Sequence, residues 1–197
     1  MQEGIWKRAG GLLLVMTLLC GVVYTLVVTA IGQVLFPVQA NGSVIEVGGQ
    51  KYGCAVLGQS FRDPAHLWGR AMQLDTGTFK DAAGEPLLYA APSNLSPADP
   101  QYQALIAERV QAMRAANPAA GQEVPEELVT GSGSGLDPDI SPAAALYQVP
   151  RIAAASGRSE AQVRDIIGQY TEGRFLGVFG EPRVNVLKVN LALDGIL

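Results

Sequence analysis

Hydrophobic and polar residues are distributed very unevenly along the 197-residue chain. From Ala9 to Ile45 there is no charged residue, and Gly11 to Ile31 is apolar almost throughout. About 20 such residues wound as a helix cross a hydrocarbon core of roughly 30 Å, and a single spanning segment must be helical to satisfy its own backbone. The pattern predicts a transmembrane helix within residues 9–36, with Trp6 and Phe36 as interfacial anchors and Pro37 ending the run. Lys7 and Arg8 flank its N-terminal end, and the next cation is Lys51. The positive-inside rule then leaves residues 1–8 in the cytoplasm and places residues 37–197 outside it. Val38-Gln39-Ala40 resembles a signal-peptide cleavage site, but the apolar run is about twice the 7–15 residues of a signal core. Cys20 as a lipidated residue is disfavoured by the bulky Leu19 before it.

Beyond the helix the pattern changes to short mixed segments. Asn41-Gly42 is a turn signal. Val44, Ile45 and Val47, a Gly48-Gly49 turn, then Tyr52 and Ala55-Val56-Leu57 read as short strands. Residues 58–98 show no sustained period and read as a long irregular connection. Asp99-Pro100 opens a helix whose apolar face is Tyr102, Leu105, Ile106, Val110 and Met113, and which stops near Asn117-Pro118. Ser141-Pro142 caps a helix through Tyr147, and Pro150 restarts a turn through Ala155. Ser159 with Gln162 makes a capping box for a helix to about Tyr170. Arg183 to Asn190 alternates as a strand. The expected fold is α+β: one N-terminal transmembrane helix, then a single extracytoplasmic domain with a small antiparallel sheet and several helices.

Composition narrows the function. Hydrophobic residues make up 48% and charged residues 16%, with mean hydropathy +0.19, which excludes intrinsic disorder. A net charge of −4 and a pI near 5.0 argue against nucleic-acid partners. Glu3, Lys7 and Arg8 sum to +1, so the outer domain carries −5. The glycine run Gly131–Gly135 lacks the Lys-Ser or Lys-Thr of a phosphate loop and the central serine of a hydrolase elbow. His66 is the only histidine, so a zinc site is disfavoured, and it reads as a surface or packing residue. Glu126-Glu127 and the Asp137/Asp139 pair read as solvated charges. Cys20 and Cys54 form no disulfide framework if the helix spans. Residue chemistry alone reveals no catalyst.

Several blocks, however, form an ordered set. They are Gly32-Gln-Val-Leu-Phe-Pro-Val-Gln-Ala-Asn-Gly-Ser43, Gly58-Gln-Ser-Phe61, Trp68-Gly-Arg70, Arg109-Val, Arg114-Ala-Ala-Asn-Pro118, and Val124-Pro with Glu127-Leu-Val-Thr130. Then follow Ser132-Gly-Ser-Gly-Leu-Asp-Pro-Asp-Ile-Ser-Pro-Ala-Ala-Ala145, Gln148-Val-Pro-Arg151, Gly180-Glu-Pro-Arg-Val-Asn-Val-Leu187 and Asn190-Leu-Ala-Leu-Asp194. Over nearly its whole length the chain resembles the KdpC family, the C subunit of the Kdp potassium-transporting P-type ATPase complex. Asp139 stands where that family often has histidine, and residues 71–92 depart from its pattern.

The resemblance implies a non-catalytic subunit of a high-affinity potassium uptake complex in the plasma membrane. Its partners would be a channel-like potassium-binding subunit and a P-type ATPase subunit that hydrolyses ATP. The chain has no Asp-Lys-Thr-Gly phosphorylation motif and no re-entrant apolar segments. The complex would use ATP, Mg and K, with no cofactor, metal or catalytic residue assigned to this chain. The family has been described as a catalytic chaperone that raises the pump subunit's affinity for ATP. An extracytoplasmic domain exerts such an effect only through conformation. The motif residues implied as structural or partner contacts are Asn41, Gly42, Gly69, Arg70, Ser134, Gly135, Leu136, Asp137, Gln148, Pro150, Arg151, Asn185, Asn190 and Asp194. In the membrane, Gly21, Thr25 and Thr29 at i, i+4, i+8 would let a partner helix approach closely. The competing reading is a membrane-anchored envelope enzyme or ligand-binding module acting alone.

Overall fold

The computed structural model describes residues 2–90, 92–121 and 123–197, and the chain divides into two compact units at Val44/Ile45. The first unit is helical. Helix α1 (Gln2–Met16) runs into a π-helical stretch, Thr17–Tyr24, and on into α2 (Thr25–Leu35). Residues Gly4–Leu35 are long and apolar enough to cross a membrane by length and composition. At 1.5 Å per residue these 32 residues measure about 48 Å, more than the hydrocarbon core needs. Helix formation therefore extends past the predicted span at the N-terminal end and takes in Lys7 and Arg8. At the other end Phe36 leaves the helical conformation and Pro37 starts a one-turn helix, α3 (Pro37–Ala40). Gln33 and Asn41 then tie that corner together: Asn41 Nδ2 donates to Pro37 O at 2.7 Å and to Gln33 Oε1 at 3.0 Å.

The second unit is a mixed domain with three small sheets among the described residues rather than one. Strands β1 (Val44–Val47) and β2 (Gln50–Cys54) pair across the Gly48-Gly49 turn. Both glycines have positive φ, 61° and 82°, which a tight turn of this kind requires. The second strand stops at Cys54, so residues 55–57 fall outside it, contrary to the alternation reading. Within the stretch read as irregular lies a hairpin, β3 (Leu74–Lys80) with β4 (Pro86–Ala90), antiparallel and broken by a bulge between Asp75 and Phe79. The Phe79 and Tyr89 rings meet edge-on at 5.2 Å across it.

Helix α4 (Pro100–Ala116) starts where predicted: Asp99 Oδ1 accepts from Gln101 N at 2.7 Å and Pro100 occupies the first turn. It ends at Asn117, whose side-chain amide donates back to Met113 O at 2.9 Å. A short 3-10 turn, Glu126–Leu128, leads into the Gly131–Asp137 loop and β5 (Asp139–Ile140). Helices α5 (Pro142–Tyr147), α6 (Val149–Ser156) and α7 (Glu160–Gln169) follow. The capping box of Ser159 and Gln162 is fully formed. Pro150 sits in the first turn of α6, where its missing N–H is harmless, so a helix stands where a turn was expected.

The third sheet has the order β5-β7-β6, with β6 (Thr171–Glu172) and β7 (Arg183–Asn185) antiparallel. The alternation from Arg183 to Asn190 is strand only as far as Asn185. Asn185 Oδ1 then accepts from Lys188 N at 3.1 Å and caps α8 (Val186–Leu193). An apolar run of this length satisfies either period. Here the cap decides for helix, and the helix is buried on most of its surface, with Val186, Leu187, Val189, Leu191 and Leu193 all in the interior. The core joins these side chains to Ile140, Ala144, Val149, Ile152, Val163, Ile167 and Val184, with Leu67, Met113 and Leu128 packed in from the preceding segments.

Candidate functional site

The motif residues fall into two clusters in the domain. The first surrounds the loop Asp63–Trp68. Such a loop exposes carbonyls and N–H groups that must be satisfied once it is packed against a core. Gln148, at the junction of α5 and α6, is fully buried and acts as a two-way backbone mimic. Its Oε1 accepts from Trp68 N at 2.9 Å and its Nε2 donates to Trp68 O at 3.0 Å. Asn190 on α8 does the same for Leu67, accepting from its N at 2.7 Å and donating to its O at 2.9 Å. Leu67 has no exposed surface at all.

Arg151, one turn beyond Gln148, binds the outer half of the loop. Its guanidinium donates to His66 O at 3.0 Å, to Pro64 O, to Asn117 Oδ1 at 3.0 Å and to Gln148 Oε1 at 2.7 Å. It stacks over the Trp68 ring with its carbon 4.2 Å from the ring centre, a cation–π geometry. Burial drags the Arg151 pKa down to about 10, against a smaller upward pull from Asp63, so the group stays charged at neutral pH. Asp194, at the end of α8, closes the rim with a 2.9 Å contact to His66 Nε2. A serine-protease triad puts Nε2 on the nucleophile. Here that nitrogen is on the carboxylate, so the geometry is a tether.

The second cluster is built on the Gly131–Asp139 loop. Gly135 adopts φ 76° and is buried; its carbonyl accepts from Gln73 N at 3.0 Å. Ser134 Oγ accepts from Leu136 N at 3.2 Å, and Leu136 O accepts from Gly58 N at 2.8 Å. Arg70 reaches Gly131 O at 3.2 Å and Asp137 at 3.4 Å, and Gly69 before it lies against Val186. Asn185, besides capping α8, donates to Ala55 O at 2.8 Å and to Asp139 Oδ1 at 3.0 Å. Burial raises the Asp139 pKa, while Asn185 and Arg183 pull it back. The Asp137/Asp139 pair is therefore engaged with Arg70, Arg183 and Asn185 rather than solvated. Glu127 is engaged too, bonding the hydroxyl and N–H of Ser141.

Between α4 and the segment 59–72 lies a cleft of about 160 Å³, lined by Arg62, Arg70, Arg109, Phe61, Trp68 and Ser60 among others. Small-molecule sites usually enclose about 300–1,000 Å³, so this volume admits a side chain or a small ion and not a nucleotide. Among the described residues no group of three His, Cys, Asp or Glu side chains is placed to hold a metal.

Asn41 and Gly42 lie in the first unit, at the exit of the long helix, where Gly42 takes φ 86°. Gly21 falls in the π-helical stretch, while Thr25 and Thr29 lie in the α-helix that follows. Thr25 Oγ1 donates to Cys20 O at 3.3 Å, filling part of the widened turn. All three are on the surface of the single chain. Asn117 and the carbonyls of Asp63, Pro64 and His66 are members of the first cluster that sequence reasoning did not single out. A clue for Asn117 was present: an asparagine before proline at a helix end, 34 residues from Arg151, is a ready cap.

A family model described as KdpC, "K+-transporting ATPase, c chain", matches residues 6–195. Among similar curated proteins is the potassium-transporting ATPase KdpC subunit of Clostridium perfringens, 57% identical over 185 residues that cover 93% of each chain. The protein of the same name from Clostridium botulinum strain Alaska E43 is 50% identical over 196 residues, 99% of this chain and 98% of the relative. That of Methylococcus capsulatus is 49% identical over 191 residues, 97% of each.

Proposed function

Because the chain belongs to the KdpC family and is an accessory subunit of a potassium uptake ATPase, we propose that it works as an assembly and conformational element. In this reading Gly4–Leu35 anchors it in the plasma membrane with residues 1–8 cytoplasmic. The domain stands outside, against a channel-like potassium-binding subunit and a P-type ATPase subunit. The complex runs on ATP, Mg and K, and this chain binds none of them directly. Any rise in the pump subunit's affinity for ATP is transmitted through conformation, a coupling typically worth about 1–3 kcal/mol.

The observation that carries this reading is the use made of the motif side chains. The polar atoms of Gln148, Arg151 and Asn190 are spent inside the domain, holding one loop to the helical core. Groups so occupied set the shape of a surface; they are not free to meet a substrate. The cleft between α4 and residues 59–72, about 160 Å³, is also too small for a nucleotide.

The test is to assemble the transporter with and without this chain and to measure ATPase activity against ATP concentration, with a photoreactive ATP analogue present in parallel samples. The expected result is a lower apparent ATP requirement when the chain is present, with label on the pump subunit only. Specific, ATP-competed labelling of this chain would overturn the indirect mechanism.

A further inference from the structure

The segment between β6 and β7 presents apolar side chains to solvent in a manner nothing in the domain explains. Phe175, Leu176, Val178 and Phe179 are 71%, 75%, 69% and 64% exposed. Four large apolar residues within five positions form a contiguous patch of the kind that marks an interaction site. The loop is not a loose tail. Phe175 and Phe179 exchange backbone hydrogen bonds at 2.8 and 2.9 Å, Val178 N donates to Phe175 O at 3.2 Å, and Gly177 N donates to Arg174 O at 3.0 Å. Arg174 and Glu181 close the neck with a 2.6 Å ion pair. Leu176 is held at φ 52°, a left-handed conformation that a leucine adopts only against a free-energy cost. The chain is thus locally over-determined to display its apolar side chains outward. Pre-ordering of this sort lowers the entropy lost when such a loop docks.

Two kinds of surface accept an apolar tip, a bilayer and another protein, and charge separates them. Loops and helices that enter lipid interfaces usually carry unpaired cations facing anionic headgroups. Here the neighbouring cations are all answered: Arg174 by Glu181, and Arg183 and Lys188 by Glu172 and Asp139. The three cations and three carboxylates cancel, and residues 38–197 as a whole carry −5. An aromatic centre inside a charge-neutral polar rim is instead the composition of a protein interface. We propose that Phe175–Phe179 is a docking knuckle that inserts into an apolar recess on another subunit of the same transporter. This rests on the assembly reading given above.

The test uses the full chain in the assembled complex. A photo-crosslinking amino acid at Leu176, irradiated in native membranes, is expected to join this chain to a larger polypeptide of the transporter. A lipid adduct alone, or no adduct, would overturn the proposal. In parallel, the double variant Phe175→Ser with Phe179→Ser is expected to co-purify with the larger subunits at least tenfold less than the unaltered chain. Its unfolding midpoint should be unchanged, because neither ring is in the core. Undiminished co-purification would refute the knuckle while leaving the assembly role intact. Failure of the unaltered chain to co-purify would overturn the assembly role, and the knuckle with it.

Discussion

Arg151 shows how much one side chain organises in this domain. A guanidinium offers five N–H donors in a rigid fork, and here they meet the loop carbonyls of Asp63, Pro64 and His66 and two side-chain amides within one buried site. Among the described residues no carboxylate forms an ion pair with it, so its charge is held mainly by dipoles and by the face of Trp68, with a smaller pull from Asp63. Replacing it by Met takes the guanidinium donor from Pro64 O, His66 O and Asn117 Oδ1, and each buried unsatisfied group costs about 1–3 kcal/mol. Arg151→Met is therefore expected to lower stability by at least about 3 kcal/mol, read from urea unfolding of the full chain in detergent. Arg151→Lys should recover only a minor part, since an ammonium cannot reproduce the fork. Asp139 gives a pH signature of the opposite kind. Its pKa is raised in the folded protein, so over the window just above the ordinary carboxylate value the native state holds a proton that the unfolded chain has released. Stability then falls as pH rises through that window. Asp139→Asn is expected to flatten that fall when unfolding midpoints are compared at pH values bracketing the carboxylate range. An unchanged slope would show that another group titrates there.

At the scale of elements, the domain is knitted by loops pressed against helices more than by strand pairing. Its sheets have two or three short strands, too few for independent stability. What holds the segment before β3 in place is side-chain capture by Gln148 and Asn190, and backbone contact with the Gly131–Asp137 loop. Gly58 lies at that second contact: a Cβ there would stand 2.7 Å from Asp137 O and 3.1 Å from Leu136 C. Neither is a flexible side-chain end, so the backbone must move. Gly58→Ala is expected to cost about 1–3 kcal/mol, typical of overpacking, and to open the 131–139 loop to limited proteolysis. Equal protease resistance in the variant would show that the loop is held elsewhere. The helices with local signals were legible from sequence, because Asp99-Pro100, Ser141-Pro142 and the Ser159/Gln162 box act within a few residues of themselves. The β3–β4 hairpin was not, since its alternation is interrupted by Gly77 and a bulge. The strand-to-helix change at Asn185 was missed because Val186-Leu-Lys-Val fits both periods.

For the whole molecule, the deciding question is which side of the membrane the domain occupies. Cys54 is half-buried at the end of β2, and Cys20 lies within the apolar helix. In a chain with Cys20→Ala, a membrane-impermeant thiol reagent is expected to modify Cys54 in intact spheroplasts as well as in lysed membranes. Modification only after lysis would reverse the orientation and return the domain to the compartment that holds ATP.

Family and the candidate spanning helix were legible in the sequence alone, for physical reasons that are local. A 32-residue apolar helix needs no tertiary partner to declare itself, and an ordered set of motifs spanning the chain identifies its relatives without reference to contacts. The α+β class followed from caps and short-range periods. The tasks of the motif residues were decided by tertiary structure. Gln148 and Trp68 are 80 positions apart, and Asn190 and Leu67 are 123 apart. No periodicity connects residues at such distances; only packing of the loop onto the helices brings an amide side chain opposite a backbone N–H and C=O. The same holds for the apolar loop at Phe175–Phe179. Nothing in the sequence pattern marks it, and only the folded domain, with its core already complete without those rings, shows that they face outward.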